Sequence, residues 1–256
     1  MKHDVEINQA VPKHLATLLK ALANLGYLED AHTQVLLQDQ PPEARIPDRE
    51  TVFMQAGIAL LCAAWEAYVE DLALHAFDYL IEKTTDPQSL PKSLKKTVAF
   101  GIKTSKNELS PWILAGDGWR GVVRARVLES IESLHNPKPA KIDALFEDVL
   151  GIKNICDSWE WEDFPKEFVR HTMLRMVEQR GAVAHGRTPD IPTGYNLLSY
   201  WKSHVVECAF RLNNKVVDTL TPDPAPPCWA LATTNSDWSL WADFMKNIRS
   251  IVANKS

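Results

Sequence analysis

Arg180 and His185, with four residues between them in the stretch MVEQRGAVAHGRTPD at positions 176–190, are the two side chains in this sequence with the most chemistry to offer together. Arginine is a permanent cation with a fork of N–H donors, and histidine exchanges its proton near neutral pH. Side by side they would serve charge stabilisation and proton transfer at an anionic centre. The ordinary reading of the same residues is a helix end, where a histidine before glycine caps carbonyls and favours the dipole.

Arg180 belongs to a helix expected over 164–184, with His185 at its end, and the face of that helix is defined by Val169, Met173, Met176, Val177, Val183 and Ala184. Arg180 falls on that apolar face, so its guanidinium needs a partner or a polar pocket. Glu66, in CAAWEAYVEDLAL, is the expected acidic partner. It shares a stripe with Ala59, Ala63, Glu70 and Ala73, where small side chains admit a neighbouring helix. Glu70 with Asp71 reads rather as the solvated edge of the same helix. On a continuous helix His185 would stand about 140° away from Arg180, so the pair converges only if the helix ends between them. Gly181 weakens the last turn, and Gly186 suits a left-handed turn-back.

The bulk composition limits the rest. With 256 residues and 45% hydrophobic content the chain can bury a sizeable core. A net charge of -5 and a pI near 5.9 exclude a uniformly basic coat, so any nucleic-acid contact must be local. Cys62, Cys156, Cys208 and Cys228 lie apart, with no C-x-x-C pair, and read as small core residues rather than a disulfide or zinc framework. No H-E-x-x-H, Asp-rich or Cys/His cluster offers a metal site, and no glycine-rich phosphate loop appears, so no metal or cofactor is expected. The N-terminal MKHDVEINQAVPKHL has no signal-peptide core, and MQAGIALLCAAWEAYV contains Glu66 and stops short of a membrane span. A soluble cytoplasmic protein is expected.

Apolar residues recur at helical spacing through Ile58, Leu61, Cys62, Trp65, Val69, Leu72 and Tyr79, and again through Leu198, Trp201, Val205, Cys208, Leu212 and Val216. No stretch alternates as a strand would. The expected fold class is all-α: an antiparallel bundle within a domain over 1–220, with core helices at about 10–39, 50–83, 164–184 and 195–220. Residues 84–163, broken by TTDPQSLP, ELSPW, AGDGW and HNPKP, read as a helical insertion with short helices near 94–103, 122–134 and 142–150. The proline-rich TPDPAPP opens a segment at 221–256 that carries Trp238, Trp241 and Phe244 on a short final helix.

Three blocks in order, WEAYVEDL, HNPKPAKIDALFEDVLGIKNICDSW and MVEQRGAVAHGR, resemble the HEPN superfamily, specifically its RiboL-PSP-HEPN branch, over roughly residues 50–220. The resemblance implies a metal-independent endoribonuclease whose active site is assembled across a two-fold homodimer. Arg180 and His185 would be catalytic and Glu66 a supporting residue. RNA brings its own nucleophile, the 2′-hydroxyl, so the implied products are a 2′,3′-cyclic phosphate and a 5′-hydroxyl. Active members commonly carry a polar residue, often asparagine, after the arginine; here it is Gly181. The resemblance also implies a toxin or phage-defence role with a possible antitoxin or defence-system partner. The alternative is a non-catalytic module that binds RNA or protein, as an antitoxin-like or assembly subunit.

For RNA contact the expected residues are Arg187 and Arg175, with Arg170 and the lysines of PKSLKKTVAFGIKTSK beside them, though ordinary solvation explains the lysine run equally well. Trp65 and Trp201 fall on core faces. Trp159 and Trp161, in the acidic DSWEWED, are expected to be exposed, and their neighbours make them poor platforms for RNA.

Overall fold

The computed structural model describes residues 11–37, 47–161, 164–185, 195–221, 228–229 and 231–232. These form seven α-helices: α1 (Lys13–Leu37), α2 (Pro47–Lys83), α3 (Lys92–Thr104), α4 (Gly118–Glu132), α5 (Pro139–Leu150), α6 (Lys166–Ala184) and α7 (Tyr195–Leu220). Short 3-10 turns at Pro87–Ser89, Ser110–Leu114 and Ile155–Ser158 join the middle ones. Among the described residues the sole β-type pairing is the bridge between Trp161 and Phe164. The fold is all-α.

The long α2 is the axis. Leu61, Trp65, Val69, Leu72 and Ala76 recur every three or four residues and are fully buried. By length and composition Val52–Lys83 is apolar enough to cross a membrane, further than MQAGIALLCAAWEAYV alone suggests, but this face is covered by other helices of the chain. Leu15, Leu18, Leu22 and Leu25 of α1 pack along α2, and α4, α5, α6 and α7 each lie against it too. Trp65 stacks on Tyr68 and meets Trp159 with ring centres 5.9 Å apart. Truncating Trp65 to alanine in so closed a site costs about 3–5 kcal/mol.

Much of 84–163 is core rather than outwork. Val127 of α4 and Ile142 and Phe146 of α5 are fully buried in the same cluster as Trp65. Pro139 opens α5 where a missing N–H is harmless, and Gly151 closes it at φ 74, its N–H returning to Glu147 O. The segment after α5 corrects one expectation. The Cys156 N–H donates to Asp143 Oδ1 at 2.9 Å, which turns the chain so that Trp159 points inward and is 0% exposed. Trp161 is half-buried beneath the Arg211 guanidinium.

Beyond α7, Trp229 stacks on His75 at 4.5 Å and donates its indole N–H to Asn213 Oδ1, while the Asn214 side-chain amide pairs with the backbone of Ala232. The chain therefore returns to the bundle there. Trp238, Trp241 and Phe244, and with them the expected C-terminal helix, lie outside the described residues.

Candidate functional site

Arg180 lies one turn from the C-terminus of α6 and is half-buried. Its neighbourhood comes from three places. From α2 come Cys62, Glu66 and Glu70; the Cys62 thiol reaches the Met176 carbonyl on α6 at 3.7 Å. The turn between α4 and α5 adds His135, Asn136 and Lys138. Arg180 itself comes from α6.

The partner of Arg180 is Asn136. Nη1 donates to Asn136 Oδ1 at 3.0 Å, and since a guanidinium only donates, the amide orientation follows from chemistry. Among the described residues Glu66 makes no ion pair with Arg180, which corrects the expectation of a carboxylate. A half-buried guanidinium keeps some water, so a neutral acceptor suffices where full burial would demand a counter-charge. Glu66 is nevertheless close: burial pushes the Cys62 thiol up to about 12, Arg180 opposes that rise and Glu66 adds to it. Both charges thus face one sulfur.

Asn136 reaches this place through local backbone geometry. Its φ is 60°, a left-handed conformation that asparagine tolerates better than other side-chain-bearing residues. The Lys138 N–H donates back to Asn136 O at 2.7 Å across Pro137, and Lys138 Nζ sits 3.7 Å from Glu178 on α6. The turn is therefore tied to α6 at two points. His135, exposed beside it, acts on Glu70, whose carboxyl is raised by burial and by Glu66 and Asp71 and lowered again by the histidine. Glu70 is half-buried and belongs to this cluster rather than to a freely solvated edge.

His185 is elsewhere on the helix. α6 continues through Ala184, and the His185 N–H donates to the carbonyls of Gly181 and Ala182, both at 3.2 Å. The helix does not end between Arg180 and His185 as their convergence within one chain requires, so the two side chains leave α6 about 140° apart. Intact i→i−4 bonding outweighs the weakness that Gly181 introduces. His185 is exposed. Gly186 and Arg187 lie outside the described residues.

Of the other candidate arginines, Arg170 and Arg175 each have an acidic neighbour. Arg170 pairs with Asp143 at 2.7 Å and Asp157 at 3.3 Å, which fastens α6 to α5 and to the turn after it; it is a structural residue and not free for RNA. Arg175, half-buried, has Glu178 at 4.0 Å one turn along. Among the described residues no group of three or more His, Cys, Asp or Glu side chains could hold a metal ion.

The arrangement presents one guanidinium whose charge is anchored by a neutral amide, with most of its N–H donors left for an anion, and acids and a histidine at its side. The family model for RiboL-PSP-HEPN matches residues 28–218, well over half of the chain. The chain belongs to the RiboL-PSP-HEPN family. No curated protein and no solved structure matches it. As a HEPN-type domain it is a ribonuclease-like or RNA-binding module. Asn136 and His135 are the additions that the structure makes. The sequence signal for them was the block HNPKP, where an asparagine before proline marks a constrained turn.

Proposed function

We propose that this RiboL-PSP-HEPN protein is a metal-independent endoribonuclease working through 2′-hydroxyl attack, with Arg180 holding the phosphate and His185 moving the proton. The carrying observation is the un-neutralised guanidinium: Arg180 is fixed by the Asn136 amide rather than by a carboxylate, so its charge is available to a pentavalent phosphate. Because His185 points away from Arg180 on a continuous α6, the reading requires a two-fold homodimer in which His185 of one protomer meets Arg180 of the other. Glu66 and Glu70 then bias the site electrostatically, and Arg175 and Arg187 serve RNA binding at its edge. A cytoplasmic toxin or phage-defence effector, held in check by an antitoxin or defence-system partner, is the matching biological role.

The test is cleavage of single-stranded RNA by the purified protein in excess EDTA. Expected are a 2′,3′-cyclic phosphate end, loss of activity in Arg180→Ala, and a loss of about 10²-fold or more in His185→Ala with the helical fold intact. Activity that disappears on chelation and returns with magnesium contradicts the mechanism.

One observation favours a second reading, a non-catalytic RNA-binding or protein-interaction module: a single protomer does not bring Arg180 and His185 together. A protein that binds RNA, cleaves none and is unaffected by His185→Ala supports it.

A further inference from the structure

The insertion carries an exposed surface that the Arg180 site does not use. Lys92, Lys96, Phe100 and Lys103 follow one another on α3 at spacings of four, four and three, which keeps them within about 80° of arc. All are exposed, Phe100 at 68%, while Leu94, Val98 and Gly101 on the opposite side are buried in the core. α3 has no acidic residue, in a chain whose net charge is -5. Beyond α3, Lys106 is exposed, and the Ser105 and Ser110 hydroxyls meet at 2.6 Å, folding the next turn back against the helix end. That turn carries Trp112, 76% exposed, beside Ile113, with Leu109 just before it. Four of the nine exposed large apolar side chains among the described residues thus fall between positions 100 and 113. Singly they would need no account; four within one stretch of chain exceed ordinary scatter. Lys92, Lys96, Lys103 and Lys106 make no ion pair among the described residues.

We infer that the α3 stripe and Trp112 form a binding face for single-stranded nucleic acid, the lysines following the phosphates while Phe100 and Trp112 stack on unpaired bases. Two features select this occupant. Cations repeat at about 6 Å along the helix with an aromatic ring among them, which suits a flexible polyanion bearing exposed rings and not a duplex, whose base faces are covered. A bilayer is disfavoured because the continuous apolar face of α3 is already packed against α4 and α5, and the outward stripe is three lysines with a single phenylalanine. That the strand is RNA rests on the ribonuclease reading above; the stripe itself recognises backbone charge and stacking.

The experiment is fluorescence anisotropy with a labelled single-stranded RNA dodecamer and the full chain carrying His185→Ala, so that the probe survives. Lys96→Glu with Lys103→Glu is expected to weaken binding about tenfold or more and to flatten its salt dependence. Phe100→Ala and Trp112→Ala should each weaken it roughly fivefold or more, with little effect on a duplex of the same length. Lys20→Glu, an exposed charge reversal on α1 outside both the stripe and the Arg180 site, should change this affinity by no more than about twofold. RNA binding that depends on the stripe in a protein that cleaves nothing removes the ribonuclease reading and keeps this one. An affinity unchanged by the double charge reversal overturns it. So does binding to anionic phosphatidylserine vesicles or polyglutamate in the absence of binding to the dodecamer.

Discussion

Asn136 gives the sharpest handle on the site, because its two roles separate by substitution. The amide donates nothing to Arg180; it accepts one N–H at 3.0 Å, and it does so from a backbone at φ 60°. A hydrogen bond to a charged group contributes about 1.5–3 kcal/mol, and the half-buried setting of Arg180 places this one at the lower end. Holding alanine in the left-handed region costs about 1 kcal/mol more than holding asparagine there. Asn136→Ala is therefore expected to lose about 2.5 kcal/mol, and Asn136→Gly, which adopts that φ freely, about 1.5 kcal/mol. Asn136→Asp keeps the acceptor and the turn and adds a counter-charge, so stability should hold or rise by up to about 1 kcal/mol while RNA cleavage falls. Urea unfolding followed by helical circular dichroism reads the first two, and cleavage in EDTA reads the third. If the glycine and alanine variants are equally destabilised, the backbone argument is wrong. If Asn136→Asp cleaves as fast as the parent, the idea that Arg180 works because its charge is un-neutralised fails.

A β-carbon added at Gly181 meets nothing within 4 Å, so Gly181→Ala should stabilise α6 by about 0.5–1 kcal/mol, seen as a higher unfolding midpoint; a lower midpoint would mean that glycine is needed there. His14, 2% exposed and bonded to His75 and Asn213, has its pKa lowered by burial from 6.5 to about 4. The unfolded chain then takes up a proton below about pH 6.5 that the folded chain refuses until about pH 4, so this contribution is whole above the window and lost as pH falls through it. The loss amounts to roughly 3 kcal/mol, and His14→Gln should flatten the pH dependence of urea midpoints across that range; an unchanged slope would contradict it. Arg170→Ala leaves Asp143 without its charged partner and should destabilise by about 1–3 kcal/mol without altering RNA affinity; a weakened affinity in a stable variant would return Arg170 to the binding surface.

The helices were legible because their cores repeat at 3.6 residues: Leu61, Trp65, Val69 and Leu72 announce α2 without help from any neighbour. Arg180 was legible as a charge on an apolar face, and half-burial is what such a position produces. Its partner was not. Asn136 is 44 residues away, and the packing of α5 and α6 on α2 and against each other brings the turn before α5 to the guanidinium. Glu66 looked the better match because charge is visible in a sequence and a left-handed turn aimed at another helix is not. Trp159 misled for the same reason: DSWEWED reads as solvated, whereas one hydrogen bond to Asp143 rotates the indole into the core. The exposed Phe100 also breaks a local rule, since nothing in its own turn separates it from the buried Leu94 and Val98 except the side of the helix on which it falls.

The most direct measurement of the central claim is complementation between two inactive variants. Arg180→Ala and His185→Ala chains are co-expressed or co-refolded, and cleavage of single-stranded RNA is followed in excess EDTA beside each variant alone. If Arg180 of one protomer works with His185 of the other, half of the dimers are mixed and each mixed dimer contains one intact site, so the mixture should recover about a quarter of the parental activity. An active parent with no recovery in the mixture would contradict the shared site and require both residues from one chain.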